Sequence, residues 1–188
     1  MVLSDTFRVS LLSIRPAEGA DLPVLRALIG LAIDSLQAGL LSPEQIAASH
    51  MIMGLDTQLV EDGTYFVVEN HGGIVGCGGW SRRATLFGGD HSGELRDSAL
   101  LDPSRDGAKI RAMYTHPDFA RQGIGRLILS RCEHEASSEG FSSAELMATL
   151  SGQLLYLACG YEIVELVDTA AGAVNIPLVR MRKHLQAR

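Results

Sequence analysis

The chain has 188 residues, 46% of them hydrophobic, enough for a substantial core within a single domain spanning residues 1–188. Its formal charge of −6 and sequence pI of about 5.5 argue against a nucleic-acid phosphate partner. No run reaches about 18 apolar residues without charge, so no membrane span is predicted.

The segment 1–7 contains Asp5 before any apolar run, which argues against a secretory leader. Residues 9–14 read as a first strand, stopped by Pro16. A helix is predicted from Asp21 to about Gly30, with its apolar face extending toward Leu36. Asp21 suits the N-cap and Pro23 the first turn. Ser42-Pro43-Glu44-Gln45 starts a second helix, with Ser42 as cap and Gln45 completing a capping box. That helix is expected to run to about Met53 or Gly54. Residues 64–69 and 74–80 are strand candidates around Asn70-His71-Gly72-Gly73, the pattern of a hairpin.

The 82–107 segment is irregular, with Gly88, Gly89, Gly93, Pro103 and many charges. It reads either as a surface loop or as a wall over a substrate. Residues 109–115 form the next strand candidate. A helix follows from about Gly123 to Glu139, with Ile124, Leu127, Ile128, Cys132 and Ala136 on one face. Strands are expected at 143–149, 161–166 and 176–182. A short helix follows Ser151, and Ala170-Ala171-Gly172-Ala173 turns between the last two strands. Cys77, Cys132 and Cys159 show no paired spacing, which suggests reduced thiols and a cytoplasmic protein.

The most informative segment is His116-Pro117-Asp118-Phe119-Ala120-Arg121-Gln122-Gly123-Ile124-Gly125-Arg126. It joins a strand to a helix through glycines and cations. Free N–H groups in the first helical turn favour an anion, and the glycines let a ligand approach the backbone. The physical reading is a pyrophosphate cradle. A P-loop would need Gly-Lys-Ser/Thr four residues after a first glycine, and no such run exists. A dinucleotide fingerprint would need a third glycine, and Ile128 stands there.

This segment resembles the acyl-CoA-binding motif of the GNAT superfamily of N-acetyltransferases, Arg/Gln-x-x-Gly-x-Gly/Ala. Ala120 stands at the first motif position, so the side-chain contribution falls to Arg121 or Gln122. A second stretch, Ser151-Gly152-Gln153-Leu154-Leu155-Tyr156-Leu157-Ala158-Cys159-Gly160-Tyr161, resembles the family's terminal helix, which ends in Phe-Tyr-x-x-x-Gly-Phe. The two matches cover about 109–166. The resemblance implies a mixed, mostly antiparallel α/β (α+β) sheet of about seven strands flanked by about four helices. It implies that the fourth and fifth strands splay apart to admit the co-substrate. It further implies that acetyl-CoA is held by Met113, Tyr114, Thr115, Arg121, Gln122, Gly123, Ile124, Gly125, Arg126 and Ser151.

The reaction implied is acetyl transfer from acetyl-CoA to a primary amine by direct attack in a ternary complex. A backbone N–H near Met113 or Tyr114 would polarise the thioester carbonyl. Tyr156 matches the family's catalytic Tyr and would be the general acid for the departing thiolate. The general base is left unassigned among Glu69, Glu145, His116 and the 82–107 segment, with His116 read mainly as a turn residue. Cys132 and His134 lack further ligands at metal-binding spacing, and no G-x-S-x-G elbow occurs, so no metal is expected. The alternative is a non-catalytic acyl-CoA-binding sensor or partner module. Family members often pair, which leaves a homodimer open.

Overall fold

The computed structural model describes residues 12–185. The expectation drawn from residues 1–7 and the start of the first predicted strand lie outside the described residues. Strand β1 (Leu12–Pro16) leads to a single 3-10 turn and helix α1 (Leu22–Leu36). Asp21 does sit at the N-cap of α1, but its carboxylate makes no cap bond there. It accepts instead from Glu18 N and from the Arg15 guanidinium at 2.8 Å. That ion pair is why its pKa is held below the usual carboxylate range.

Helix α2 (Pro43–Ser49) opens with both arms of the predicted capping box in place: Gln45 N donates to Ser42 Oγ, and Ser42 N to Gln45 Oε1. It stops at Ser49, short of the expected end. The Ser49 hydroxyl donates to Gln45 O, and Met51, Ile52 and Met53 close tight turns onto Ala48 and Ser49. The turn lets Ile52 and Leu55 enter two different apolar clusters. A further short helix, α3 (Thr57–Glu61), begins at Asp56, whose side chain accepts from Gln58 N. With five residues it is too brief for periodicity to reveal. Among the described residues five α-helices therefore stand where about four were expected.

Strands β2 (Tyr65–Asn70) and β3 (Gly73–Ser81) form the predicted hairpin. Its two turn residues, His71 and Gly72, both have positive φ, as a two-residue turn of the right twist requires. After the long loop come β4 (Ala108–Thr115), α4 (Ile124–Ser138), β5 (Ser143–Thr149) and α5 (Gln153–Ala158). Strands β6 (Glu162–Ala171) and β7 (Val174–His184) close the chain and run longer than predicted. The seven strands lie in the order β1-β2-β3-β4-β5-β7-β6, and only the β4–β5 pair is parallel.

Alternation along β2 separates the two faces of the sheet. Phe66 and Val68 pack with α4, whereas Tyr65 and Val67 pack with α1 and α3. The β4–β5 pairing consists of Ala108 with Ala144 and Lys109 with Glu145, and then stops. Beyond Lys109 the two strands separate, as the resemblance implied, and the gap passes through the sheet from one helical layer to the other.

Candidate active site

A bulge shapes the open part of β4. Cys77 pairs with Tyr114, and Gly79 with Arg111, so Gly78 faces two residues of β4, Ala112 and Met113. Ala112 takes φ +50, unusual for a residue with a side chain. The bulge inverts the strand's alternation: Ile110 and Met113 pack on the α4 face, Ala112 and Tyr114 on the α1 face. A side chain at Gly78 would run into Met113 Sδ and Ile128 Cγ2, so both side chains would have to shift to admit one opposite the bulge.

Tyr65 fixes this geometry. Its fully buried hydroxyl donates to Ala112 O at 2.8 Å. The peptide is planar, so the Met113 N–H of the same unit points the opposite way. Met113 lines the cavity into which the β4–β5 gap opens. Tyr65 thus holds, from β2, a peptide unit at the cavity wall.

The gap widens into a cavity of about 740 Å³. One mouth opens between α4 and α5. There Gly123 caps α4 at φ +85, Arg121 before it takes φ +64, and nothing stands within 4 Å of a Cβ built on Gly123. The first amides of a 15-residue helix face an open surface flanked by Arg121 and Arg126. The other mouth lies between α1, the turn after α2, and Leu86-Phe87-Gly88 of the long loop. That loop is fixed to the body of the protein. Arg111 Nη2 donates to Gly88 O at 2.7 Å, Arg96 Nη2 to Asp56 Oδ1 at 3.0 Å, and Arg83 forms a two-pronged pair with Asp62.

Nearly every residue expected at the site lies around this cavity: Met113, Tyr114, Thr115, Arg121, Gly123, Ile124, Gly125, Arg126, Ser151 and Tyr156 line it. Gln122 does not. Its side-chain amide turns back to Asp118 O at 3.3 Å. Tyr156 is buried against Tyr161, and burial pushes its phenol pKa up, so it stays protonated well above neutral pH. The Tyr114 hydroxyl accepts from Gly54 N at 3.1 Å on the α1 side.

The base candidates lie elsewhere. Glu69 pairs with Arg15 on β1. Glu145 is held by Lys109 at 3.0 Å and Arg180 at 3.2 Å. His116 caps the 3-10 turn of Pro117–Phe119 by accepting from Asp118 N, the turn role read from the sequence. Among the described residues lining the cavity there is no Asp, Glu or His.

Three features of the site were missed by the sequence reading. Arg111, which lines the cavity, is paired with fully buried Asp56 at 2.6 Å. Asp56 comes from the start of a five-residue helix. Gln37, at the end of α1, is also on the cavity wall. A buried Arg in a strand that reads Lys-Ile-Arg-Ala-Met was the available clue for the first.

Comparison with known proteins fits this geometry. The model of the GNAT acetyltransferase domain matches residues 61–163. The chain belongs to this family. No curated protein is a significant sequence relative. A GCN5-related N-acetyltransferase from Rhodopseudomonas palustris superposes with a TM-score of 0.69 at 19% identity, covering 94% of this chain and 97% of that one. A ribosomal-protein-alanine N-acetyltransferase from Brucella melitensis gives 0.63 at 19%, with coverages of 92% and 99%. The PaiA N-acetyltransferase from Thermoplasma acidophilum, in complex with coenzyme A, gives 0.62 at 14%, with coverages of 92% and 98%. At these identities the likeness establishes the GNAT fold alone. No helix among the described residues is long and apolar enough to cross a membrane.

Proposed function

We propose that the protein is an N-acetyltransferase that moves the acetyl group of acetyl-CoA to a primary amine. The observation that carries this reading is the continuous cavity through the β4–β5 gap, with an anion cradle at one mouth and a largely apolar wall at the other. The α4 amides, Arg121 and Arg126 hold the pyrophosphate. The open edge of β4 from Met113 to Thr115, with Ser151 across the gap, holds the arm that carries the thioester.

Acetyl-CoA supplies an activated acyl group, and the chain supplies position and polarity. Both substrates are held in one cavity, so much of the rate comes from converting an encounter into a fixed approach. The Met113 N–H, in the peptide unit that Tyr65 holds, donates to the carbonyl oxygen as negative charge gathers there. The amine nitrogen forms its bond to the carbonyl carbon as the carbon–sulfur bond breaks. Tyr156, kept neutral by burial, donates to the departing sulfur. The reaction occurs in a ternary complex within a single domain, and the protein acts in the cytoplasm, alone or as a homodimer.

Tyr156→Phe tests the assignment. It is expected to lower kcat about 10²-fold while changing the dissociation constant of acetyl-CoA less than threefold. Full kcat in the variant, with chemistry rate-limiting, removes Tyr156 from the mechanism. The absence of a carboxylate or imidazole from the described cavity lining favours a second reading, a sensor that binds acyl-CoA without turning it over. Release of free thiol with a panel of amines separates the two.

A further inference from the structure

The acceptor mouth has a definite chemical character. Its walls come from Ile33, Leu36 and Leu40 of and after α1, Met53 after α2, Phe87 of the loop and Met147 of β5. Of the lining residues contributed by α1 and its end, the 52–54 turn and the 86–88 loop, Gln37 alone carries a polar side chain. Gln37 is 4% exposed. Its Nε2 makes one long contact to Met53 Sδ at 3.8 Å, and its Oε1 has no hydrogen-bond partner among the described residues. That oxygen is accessible on this wall, where it can accept a ligand's N–H.

Charge at this mouth is already neutralised. Arg111 lies 2.6 Å from Asp56 and donates to Gly88 O; its Nε has no partner among the described residues, but the side chain is only 3% exposed, so little of the guanidinium is within a ligand's reach. An acceptor bearing a carboxylate would have to displace Asp56 or go unpaired. An acceptor with a second ammonium group would bury it with no carboxylate on the described cavity lining to meet it. Both are heavily penalised in an apolar cavity. A single amine on an apolar body meets neither obstacle. Its own proton is also easier to lose there, because desolvation disfavours the ammonium form. An apolar acceptor therefore answers the question of the missing base: the ammonium gives its proton to water on entering, the nitrogen forms the new bond to the acetyl carbon as the carbon–sulfur bond breaks, Tyr156 protonates the sulfur, and the second amine proton passes through water to restore the Tyr156 phenol.

Building on the acetyltransferase reading, we propose that the acceptor is a primary amine on an aromatic or branched aliphatic body, recognised by Gln37 Oε1 and the Ile33–Phe87–Met147 wall. It is neither a polyamine nor a carboxylate-bearing amine. Soft, unbranched Met53 and Met147 suit a range of such bodies.

The test is a panel of 2-phenylethylamine, isoamylamine, spermidine and glutamate, read by acetylated product and by thiol release, with calorimetric titration of acetyl-CoA on the same preparations. The expected result is a kcat/KM at least 10²-fold higher for the two apolar amines. Gln37→Leu is expected to raise the KM for 2-phenylethylamine about tenfold, more than it lowers kcat. Gln37→Glu, which introduces a carboxylate, is expected to move preference toward spermidine by tenfold or more. Acetyl-CoA binding with spermidine or glutamate preferred overturns the substrate class and leaves the acetyltransferase reading intact. Acetyl-CoA binding with none of the four amines acetylated overturns the substrate class in favour of the sensor. No acetyl-CoA binding overturns the parent reading and this one with it.

Discussion

The two mouths of the cavity are built on different principles. At the α4 mouth the chemistry belongs to the backbone: helix amides, a glycine at positive φ, and a strand edge left unpaired. At the acceptor mouth it belongs to side chains drawn from α1, the turn after α2, the 86–88 loop, β4 and β5, and held by the buried Arg111–Asp56–Arg96 cluster. A backbone site tolerates change at most neighbouring side chains. A site assembled from distant side chains depends on the contacts that hold those segments in register. The two mouths should therefore fail separately, and perturbations can be chosen to show it.

The largest effect expected is one that spares neither mouth. All four tyrosines, Tyr65, Tyr114, Tyr156 and Tyr161, are displaced upward by burial, and so are Cys132 and Cys77, the latter to about 12. In the unfolded chain thiols ionise near pH 8.5 and phenols near 10. The unfolded state thus releases protons first, and stability falls as pH rises from about 8.5 toward the folded-state values. Each phenol costs about 1.4 kcal/mol one unit above its unfolded pKa, so the four together remove roughly 6 kcal/mol by pH 11. The melting temperature should drop steeply between pH 9 and 11, with tyrosinate absorbance appearing only as the protein unfolds. Tyrosinate absorbance in the folded protein below pH 10.5 would contradict this burial. Because the groups sit on both faces of the sheet, loss of the two mouths should be simultaneous.

Asp56→Ala separates them. It leaves Arg111 and Arg96 without their carboxylate and removes the cap of α3. Breaking such a buried pair costs about 3–5 kcal/mol, or about 6–20 °C in melting temperature for a chain of this size. Below the new midpoint, acetyl-CoA affinity should change less than amine KM, since the α4 cradle shares no residue with the cluster. Replacing Arg111 and Asp56 together by Met and Leu should recover much of the stability. Equal losses at both mouths would show that they are mechanically one unit.

The same division explains what could be read from sequence. The cradle was legible because its parts are contiguous: Arg121 through Arg126 carry glycine spacing, cations and a helix start within six residues. The order of strands and helices was legible for a similar reason, since each element's periodicity is local. The acceptor mouth was not. Gln37 is one polar residue at the end of an apolar helix, and only the fold shows that Phe87 and Met147 face it. A backbone donor near Met113 or Tyr114 was expected from the resemblance, but the reversal of the strand's alternation was not: simple alternation puts Ile110, Ala112 and Tyr114 on one face, whereas the bulge sends Tyr114 to the face opposite Ile110. Gln122 differs from its neighbours in the motif: its side chain follows the local turn back to Asp118.

Gly123→Glu is the complementary break, confined to the α4 mouth and somewhat smaller in free energy. Gly123 is exposed, and no atom lies within 4 Å of a built Cβ, so the substitution displaces no packed neighbour. Its φ of +85 disfavours any side chain, at a local cost of order 1–3 kcal/mol. The new carboxylate stands at the positive end of the α4 dipole, where it competes for the amides a pyrophosphate would use. Acetyl-CoA affinity should fall about 10²-fold by calorimetric titration, with NAD as the unbound control and circular dichroism unchanged. Binding of a small apolar amine at the far mouth should survive, because Gln37, Phe87 and Met147 are untouched. Wild-type affinity for acetyl-CoA in this variant would mean that the pyrophosphate lies elsewhere and that the glycine spacing serves only the packing of α4 on the sheet.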